Sequence, residues 1–448
     1  MTTREVLISS SGIAGTAAAY WLREAGFSVT VVERAAAPRP GGQTVDLRGA
    51  GRTVVEWMGL LDRIRGMTIS QRGIAWIDSS GRHRAEMPVE AFGGRGIVSE
   101  DEILRGDLAA ILYEAAEPGV SYLFDDTITA IEQGINGVLV AFEKAAPSRF
   151  DLVVGADGLH SVTRRLAFGA KPEALHPLGL LNAWFTIPAE IELDDWYVMF
   201  NAPRGRVISI RPGRLATEQK AALSVRSTES FERGDVDSQI DLLERHFADV
   251  GWEAPRLLRA ARTAPDFYLD SMGQVRLDRW SQGRVVLLGD AGYCPSPLTG
   301  LGTSLALVGA YILAGELASA TATTTDDAAL QHAYDRYESR MRPYVEQGQE
   351  LPPGGADGYA PRNRLRISLG RASMRWSQRW PLRALMERMF SKADAINLPE
   401  YADLNVAQLN QLVRCCDDHP ADAYAGTGGA RSVPITVAGS RPHWQSHR

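Results

Sequence analysis

The stretch from Glu5 to Glu33, EVLISSSGIAGTAAAYWLREAGFSVTVVE, changes its hydrophobic period twice. Glu5 to Ile8 is a short apolar run of strand type, and a turn of small residues follows it. Ala14 to Glu24 predicts a helix, with Ala17, Ala18, Trp21 and Leu22 on one face. Gly26 stops that helix, and Ser28 to Val32 predicts a second strand. Strand, helix and strand at this spacing form a βαβ unit, so the chain opens with a parallel sheet of an α/β protein.

The turn itself reads Ser10-Ser11-Gly12-Ile13-Ala14-Gly15, where a G-x-G-x-x-G dinucleotide fingerprint belongs. Gly12 lets the backbone approach a pyrophosphate, and Gly15 lets the helix pack close to the strand. The amides of Ser11 to Gly15 and the positive end of the helix dipole then face the anion. Ser10 stands in place of the first glycine; its hydroxyl and those of Ser9 and Ser11 are candidate replacement donors. Any tight strand-to-helix turn could produce such a degraded pattern, but Glu33 adds a second signal. It closes the second strand 21 residues after Gly12, where a carboxylate accepts hydrogen bonds from ribose hydroxyls. Glu33 points to an unphosphorylated ribose, hence FAD or NAD, and its neighbour Arg34 is a further candidate cofactor contact.

Outward from this unit, the texture changes between residues 174 and 275. LNAWFTI, WYVMFNA, RVISIR and AALSVR are strand-like runs separated by Pro, Gly and charged turns. They predict an inserted, mostly antiparallel sheet. Parallel-sheet texture returns at Arg284 to Leu288, and a long apolar helix follows from about Leu301. The organisation expected is 1–173 and 276–355 for a nucleotide domain in two parts, 174–275 for the inserted sheet, 356–418 for a C-terminal helical segment and 419–448 for a Gly/Ala/Ser/Pro-rich flexible tail. From Pro361 to Ala393 eight arginines alternate with Trp376, Trp380 and Met386. That pattern suits a membrane-surface helix or, the reading preferred from sequence, a helix packed across both domains with a solvated basic face.

Bulk properties narrow the partners. The 448 residues carry 48 basic and 54 acidic side chains, net −6, which disfavours a nucleic-acid surface. Cys294, Cys415 and Cys416 form no spaced metal-ligand pattern, and a reducing cytoplasm is expected. The start resembles no secretory signal. Leu305 to Ala314, closed by Glu316, is too short to span a bilayer and reads as a core helix. The partner expected is a small molecule, without nucleic acid, membrane or metal, for a monomer or weak homodimer.

Two further motifs follow in order: DLVVGADGLHS from Asp151 to Ser161, and RVVLLGDAGYCPSPLTGLG from Arg284 to Gly302. With the N-terminal turn they resemble the class A flavoprotein monooxygenases, the aromatic-hydroxylase family, over nearly the whole chain. GGQTVDLRG, from Gly41 to Gly49, most resembles the branch of tetracycline-inactivating and polyketide-tailoring enzymes. The resemblance implies a Rossmann-like FAD-binding domain of GR2 type, an inserted antiparallel β-sheet substrate domain and a C-terminal helix. It implies FAD, with NADPH or NADH as co-substrate.

By the same resemblance Asp290 meets the ribityl chain, and the turn from Pro295 to Gly302 runs beside the isoalloxazine. Gly300, Leu301, Gly302 and Thr303 then present helix-opening amides to reduced flavin. Asp157 lies near the pyrophosphate, although it could simply cap the helix that starts near Ser161. Arg105, in ILRGDL, reaches the FAD phosphates, or is a surface helix residue. Asp46 is a further FAD contact, and Arg39 docks NAD(P)H. Gly292-Tyr293 stands where the family commonly has Ala-His, and Leu301 where many members have a polar residue.

The implied chemistry is hydride transfer to flavin, then oxygen transfer from a C4a-hydroperoxide, so no catalytic side chain is expected. Trp184, Tyr197, Met199 and Pro297 are candidate substrate contacts, with Asn182 and Arg211 as polar ones; core packing is an equal alternative for each. Two other functions stay open at this point. One is a non-redox cyclase, such as a [4+2] cyclisation, with FAD as a structural prop; the other is a non-catalytic flavin- or ligand-binding protein.

Overall fold

Val6, Leu7 and Ile8 are all fully buried, because the sheet they enter is covered on both faces. In the computed structural model, which describes residues 4–39, 41–94, 96–169, 174–321 and 327–404, Val6 and Ile8 pack with helical residues such as Trp21 and Leu307. Leu7 packs with Val153 and Val285 against Val138, Val140 and Phe142 of a small three-stranded sheet. The expectations for Cys415, Cys416 and the tail 419–448 lie outside the described residues.

The first sheet runs Ser281–Gln282, Val285–Leu287, Leu152–Gly155, Glu5–Ser9, Ser28–Glu33, Val120–Phe124, parallel except for its first pair. Its register sets Ser9 beside Gly155 and Gly155 beside Leu287. The three sequence motifs therefore emerge side by side at the carboxyl edge, where open α/β sheets place their ligands.

The second sheet has seven strands, ordered Tyr268–Val275, Leu175–Pro188, Glu218–Arg226, Arg206–Pro212, Trp196–Ala202, Gly73–Ile77, His83–Pro88. It is antiparallel except where Trp196–Ala202 meets Gly73–Ile77. The sheet is thus wider than the segment 174–275. Two strands come from within 1–173, where the short run GIAWI betrays nothing of a partner more than a hundred residues away. Side chains alternate between its faces. Leu181, Ala183, Phe185, Val198 and Ile210 pack under the helices Val236–Phe247 and Ala254–Ala261. Leu180, Trp184, Tyr197, Met199 and Val207 share the opposite face with Met386 and Phe390.

The apolar helix spans Gly302–Thr321, twice the expected ten residues, and 89% of its most apolar window is buried. Glu316 does not end it. The carboxylate is buried, and Arg336, Arg340 and Tyr401 hold it, the last two at 2.7 Å. A buried charge is tolerated where it is paired in this way. The arginine-rich segment forms two helices, Arg364–Trp376 and Leu382–Phe390.

Candidate functional site

The turn after the first strand is tighter than its sequence announces. Ser10 adopts φ +81°, a conformation that glycine accepts far more readily, and its amide donates to Val32 O at 2.7 Å. Gly12 caps the helix Ile13–Glu24 in an extended conformation. The first helical amides, from Ile13 to Gly15, have no carbonyl one turn earlier to pair with. A Cβ on Gly15 would lie 1.9 Å from Ser10 O, so this glycine makes the close helix–strand approach possible.

Glu33 binds this turn together. Its Oε2 accepts from the Ser11 amide at 2.8 Å and from the hydroxyls of Ser10 and Ser11 at 3.0 and 3.1 Å; its Oε1 accepts from the Ala35 amide at 2.9 Å. Burial works against its charge, but these donors prevail and hold the carboxyl below its usual range. The Ser11 amide is thereby committed to Glu33 rather than to a phosphate. The exposed Arg39 guanidinium lies 3.9 Å from Glu33, while Arg34 is exposed beside it.

Arg105 opens the helix Arg105–Ala116, and the GGQ loop is tied to it: its amide donates to Gln43 O and that of Gly106 to Gly41 O, both at 2.7 Å. Its guanidinium passes directly over the turn, 3.7 Å from where a Gly12 Cβ would stand. Among the described residues Arg105 forms no ion pair, and its side chain is exposed. A free cation above a Gly-rich helix N-terminus is suited to an anion.

On the other side of the turn, Gly289 (φ +63°) abuts Ala14 and brings Asp290 to the start of the first helix. The Asp290 side chain is exposed to solvent, yet protein groups crowd around it. That crowding raises its pKa, against the pull of Cys294 and Arg105. Gly302 lies beside Asp290, 3.9 Å from its Oδ1 to a notional Cβ. Gly300 is left-handed, Leu301 is buried, and Thr303 is half-buried in the first turn of the helix. The pyrophosphate turn, Arg105 and the Asp290–Gly302 edge together fit a dinucleotide with an extended polyol, as FAD has.

Asp157 proves to be a local organiser. Its oxygens accept from Ser161 Oγ, the Thr163 amide at 2.9 Å and Thr163 Oγ1 at 3.1 Å, capping the helix Val162–Phe168. Arg164 then donates to Leu159 O and Ala291 O, each at 2.8 Å, and locks this motif to the Asp290 turn. Sequence reasoning passed over Arg164, although it stands seven residues after Asp157 on the helix that Asp157 caps. His160 lies 2.9 Å from the buried carboxylate of Asp270, which also accepts from Tyr268 at 2.6 Å.

Asp46 is largely buried, with Arg48 and Ser99 on its two oxygens and Glu102 nearby. Burial is the main cause that pushes its carboxyl up to about 6; Arg48 opposes it and Glu102 adds to it. Glu102 pairs at 3.0 Å with Arg211, which reaches across from the seven-stranded sheet. The Arg211 guanidinium stacks 4.0 Å from the centroid of Tyr197, leaving its Nε buried and unpaired.

On the sheet face Trp184 is half-buried and stacks on Tyr268, Met199 is buried, and Tyr197 lies between. Pro297 itself is exposed, whereas its neighbour Leu298 joins this apolar cluster. Asn182 is buried and accepts from Ser224, whose hydroxyl meets Tyr359 OH at 2.7 Å. Glu102, Ser224 and Tyr359 carry no local motif, and Arg48, although inside GGQTVDLRG, is not marked out by it.

The model of the FAD binding domain family matches residues 3–350. An uncharacterized protein of Mycobacterium tuberculosis is 44% identical over 360 residues, 80% of this chain and 95% of that protein. A flavin-dependent monooxygenase of Legionella longbeachae is 38% identical over 349 residues, 78% of this chain and 87% of that one. Among solved structures, the tetracycline destructase Tet(51) superposes with a TM-score of 0.73 at 32% identity, over 89% of this chain and 100% of its own.

Proposed function

The chain belongs to the class A flavoprotein monooxygenases, enzymes that depend on FAD, and on that premise we propose that it consumes NADH or NADPH to oxygenate an aromatic or polycyclic small molecule. The observation that carries the cofactor arrangement is the free Arg105 guanidinium over Gly12, opposite the accessible Asp290 carboxyl. In this reading Arg105 and the amides of Gly12 to Gly15 hold the pyrophosphate. Glu33 receives ribose hydroxyls, and Asp290 receives the polyol. Bound flavin supplies the reduction and the activation of oxygen.

The remaining tasks fall to the protein. The amides of Gly302 and Thr303 open a 20-residue helix and offer positive potential to a reduced, anionic ring. Trp184, Tyr197, Met199, Met386 and Phe390 wall off water from the sheet side. Arg211 and the Asn182–Ser224–Tyr359 chain are the polar handles on that wall. Asp157 acts as a positioning residue, fixing the turn beside the pyrophosphate, and Arg39 serves the nicotinamide cofactor. A flat aromatic wall with few polar groups suits a polycyclic ligand, in keeping with a structural relative named for tetracycline.

Anaerobic mixing of the flavin-loaded protein with NADPH or NADH, with and without tetracyclines or other polycyclic phenols, tests the reading. Substrate-accelerated bleaching of the flavin, then one atom of labelled dioxygen in the product, is the expected result. Flavin that stays oxidised with both reductants and every candidate rejects it.

A further inference from the structure

Among the described residues, five of the nine large exposed apolar side chains fall between Leu365 and Leu385, so the apolar exposure is concentrated rather than scattered. They are Leu365, Leu369, Trp376, Trp380 and Leu385, at 69, 60, 51, 84 and 52% exposure. On the helix Arg364–Trp376, at about 3.6 residues per turn, Leu365, Leu369, Ala372 and Trp376 lie within about 60° of arc. The opposite side of this helix is anchored: Ile367 is buried, Met374 half-buried, and Arg371 donates to Ile77 O at 2.5 Å. The apolar stripe therefore faces outward as a consequence of packing.

The same segment is strongly basic. Residues 361–391 hold eight arginines against one glutamate, in a chain whose net charge is −6. Among the described residues Arg364, Arg375 and Arg388 form no ion pair, and Arg379 only stacks on Trp376, 4.5 Å from its ring centroid. We propose that this face docks on an anionic phospholipid bilayer, with Leu365, Leu369, Trp376 and Trp380 entering the interface and the free arginines meeting the headgroups. Charge selects this occupant. A second copy would present the same basic face, and residues 405–448, with four arginines and three aspartates, would not neutralise it.

Docking there has a consequence for the site. The helices Arg364–Trp376 and Leu382–Phe390 contribute Met374, Met386 and Phe390 to the cluster that contains Trp184 and Tyr197. Their inner side closes the aromatic wall while their outer side meets lipid, so a bilayer-dissolved molecule has a short path between them. The docking surface itself does not depend on which molecule is oxygenated.

The test is co-sedimentation of the full, flavin-loaded chain with vesicles of phosphatidylcholine alone or mixed with phosphatidylglycerol, at low and high salt. Binding is expected only to the anionic vesicles and is weakened by salt. The triple variant R364Q/R375Q/R388Q is expected to bind on the order of 100-fold more weakly, at about 1 kcal/mol for each arginine. W380S and L369S each lose roughly tenfold. Retained flavin in every variant shows that the fold is intact. Failure to bind anionic vesicles at low salt, equal binding to both kinds, or an unaffected triple variant overturns the proposal. So does a dimer in sedimentation velocity that W380S dissociates, which would assign the face to a second copy.

Discussion

The turn at Ser10–Gly15 works through its backbone, whereas the inner face of the seven-stranded sheet works through side chains brought from far apart. In the turn, a missing Cβ on Gly15 and the amides of the helix N-terminus do what is needed, within six consecutive residues. On the sheet face, Arg211 is neutralised by Glu102 more than a hundred positions earlier, and Ser224 shares a hydrogen bond with Tyr359 at a separation of 135. A backbone site leaves a compact signature because only glycine tolerates the approach. A side-chain site leaves none, because any of several residue types can fill each place so long as the group remains paired.

Four experiments would break or sharpen that contrast. The largest effect is expected at the turn, where Gly15→Val sets a Cβ against the Ser10 carbonyl and neither backbone can yield. A loss of about 4 kcal/mol or more, with no retained flavin, is expected; flavin absorbance per polypeptide and urea unfolding measure it. A yellow, stable Gly15→Val protein would show that the backbone is not the working part. On the sheet, Arg211→Ala leaves the buried Glu102 carboxylate without its counter-ion, held only by Gln71 at 2.7 Å, and is expected to cost about 3 kcal/mol of stability. Arg211→Ala combined with Glu102→Gln should recover much of that loss, by comparison of unfolding midpoints; no recovery would deny the pair its role.

The third concerns pH. Asp46 has its pKa raised by burial to about 6. Its proton is held more tightly in the folded state, so its contribution is full below about pH 4 and is lost as the pH rises through about 6. Glu33 and Asp270 are shifted the other way and lose their contributions only as the pH falls through their lowered values. Urea unfolding between pH 4.5 and 7 should therefore show a decline that Asp46→Asn reduces, leaving the part due to Asp290, whose carboxyl is raised as well; an undiminished decline in the variant would place its origin elsewhere. The smallest effect is expected for Arg105→Ala, which leaves the apo fold unchanged and weakens FAD binding about 10- to 100-fold. Fluorescence titration of the apoprotein with FAD reads it, and unchanged affinity would remove Arg105 from the site.

Ser10 and Gly73–Ile77 show where local reading succeeds and where it stops. Ser10 departs from the fingerprint, yet the turn forms, because its hydroxyl and that of Ser11 both satisfy Glu33. The carboxylate expected to serve the ribose is the latch of the turn, a use that no spacing rule reveals. Gly73–Ile77 sits in the middle of the nucleotide-binding part, but it pairs with Trp196–Ala202 and extends the other sheet. Alternation along Leu175–Pro188 puts Asn182 and Trp184 on one face, but it says nothing of the strands that lie beside them. It could not foretell that Met386 and Phe390 would close that face from the far end of the chain.

By itself the sequence determined the βαβ opening, the tight glycine-bearing turn after its first strand and the order of the three motifs. Each rests on spacing within one or two elements, where chain geometry leaves little choice. Tertiary structure alone decided that Ser9, Gly155 and Leu287 stand in register, so that the motifs meet at one edge. It also decided that Ser304 reaches back 256 residues to Arg48 O, that Asp157 spends its carboxylate on a helix cap, and that Glu102 takes Arg211 as its counter-ion. The reason is the same each time. Burial makes an unpaired polar group costly, and which partner is within reach is settled only when distant strands and helices have packed.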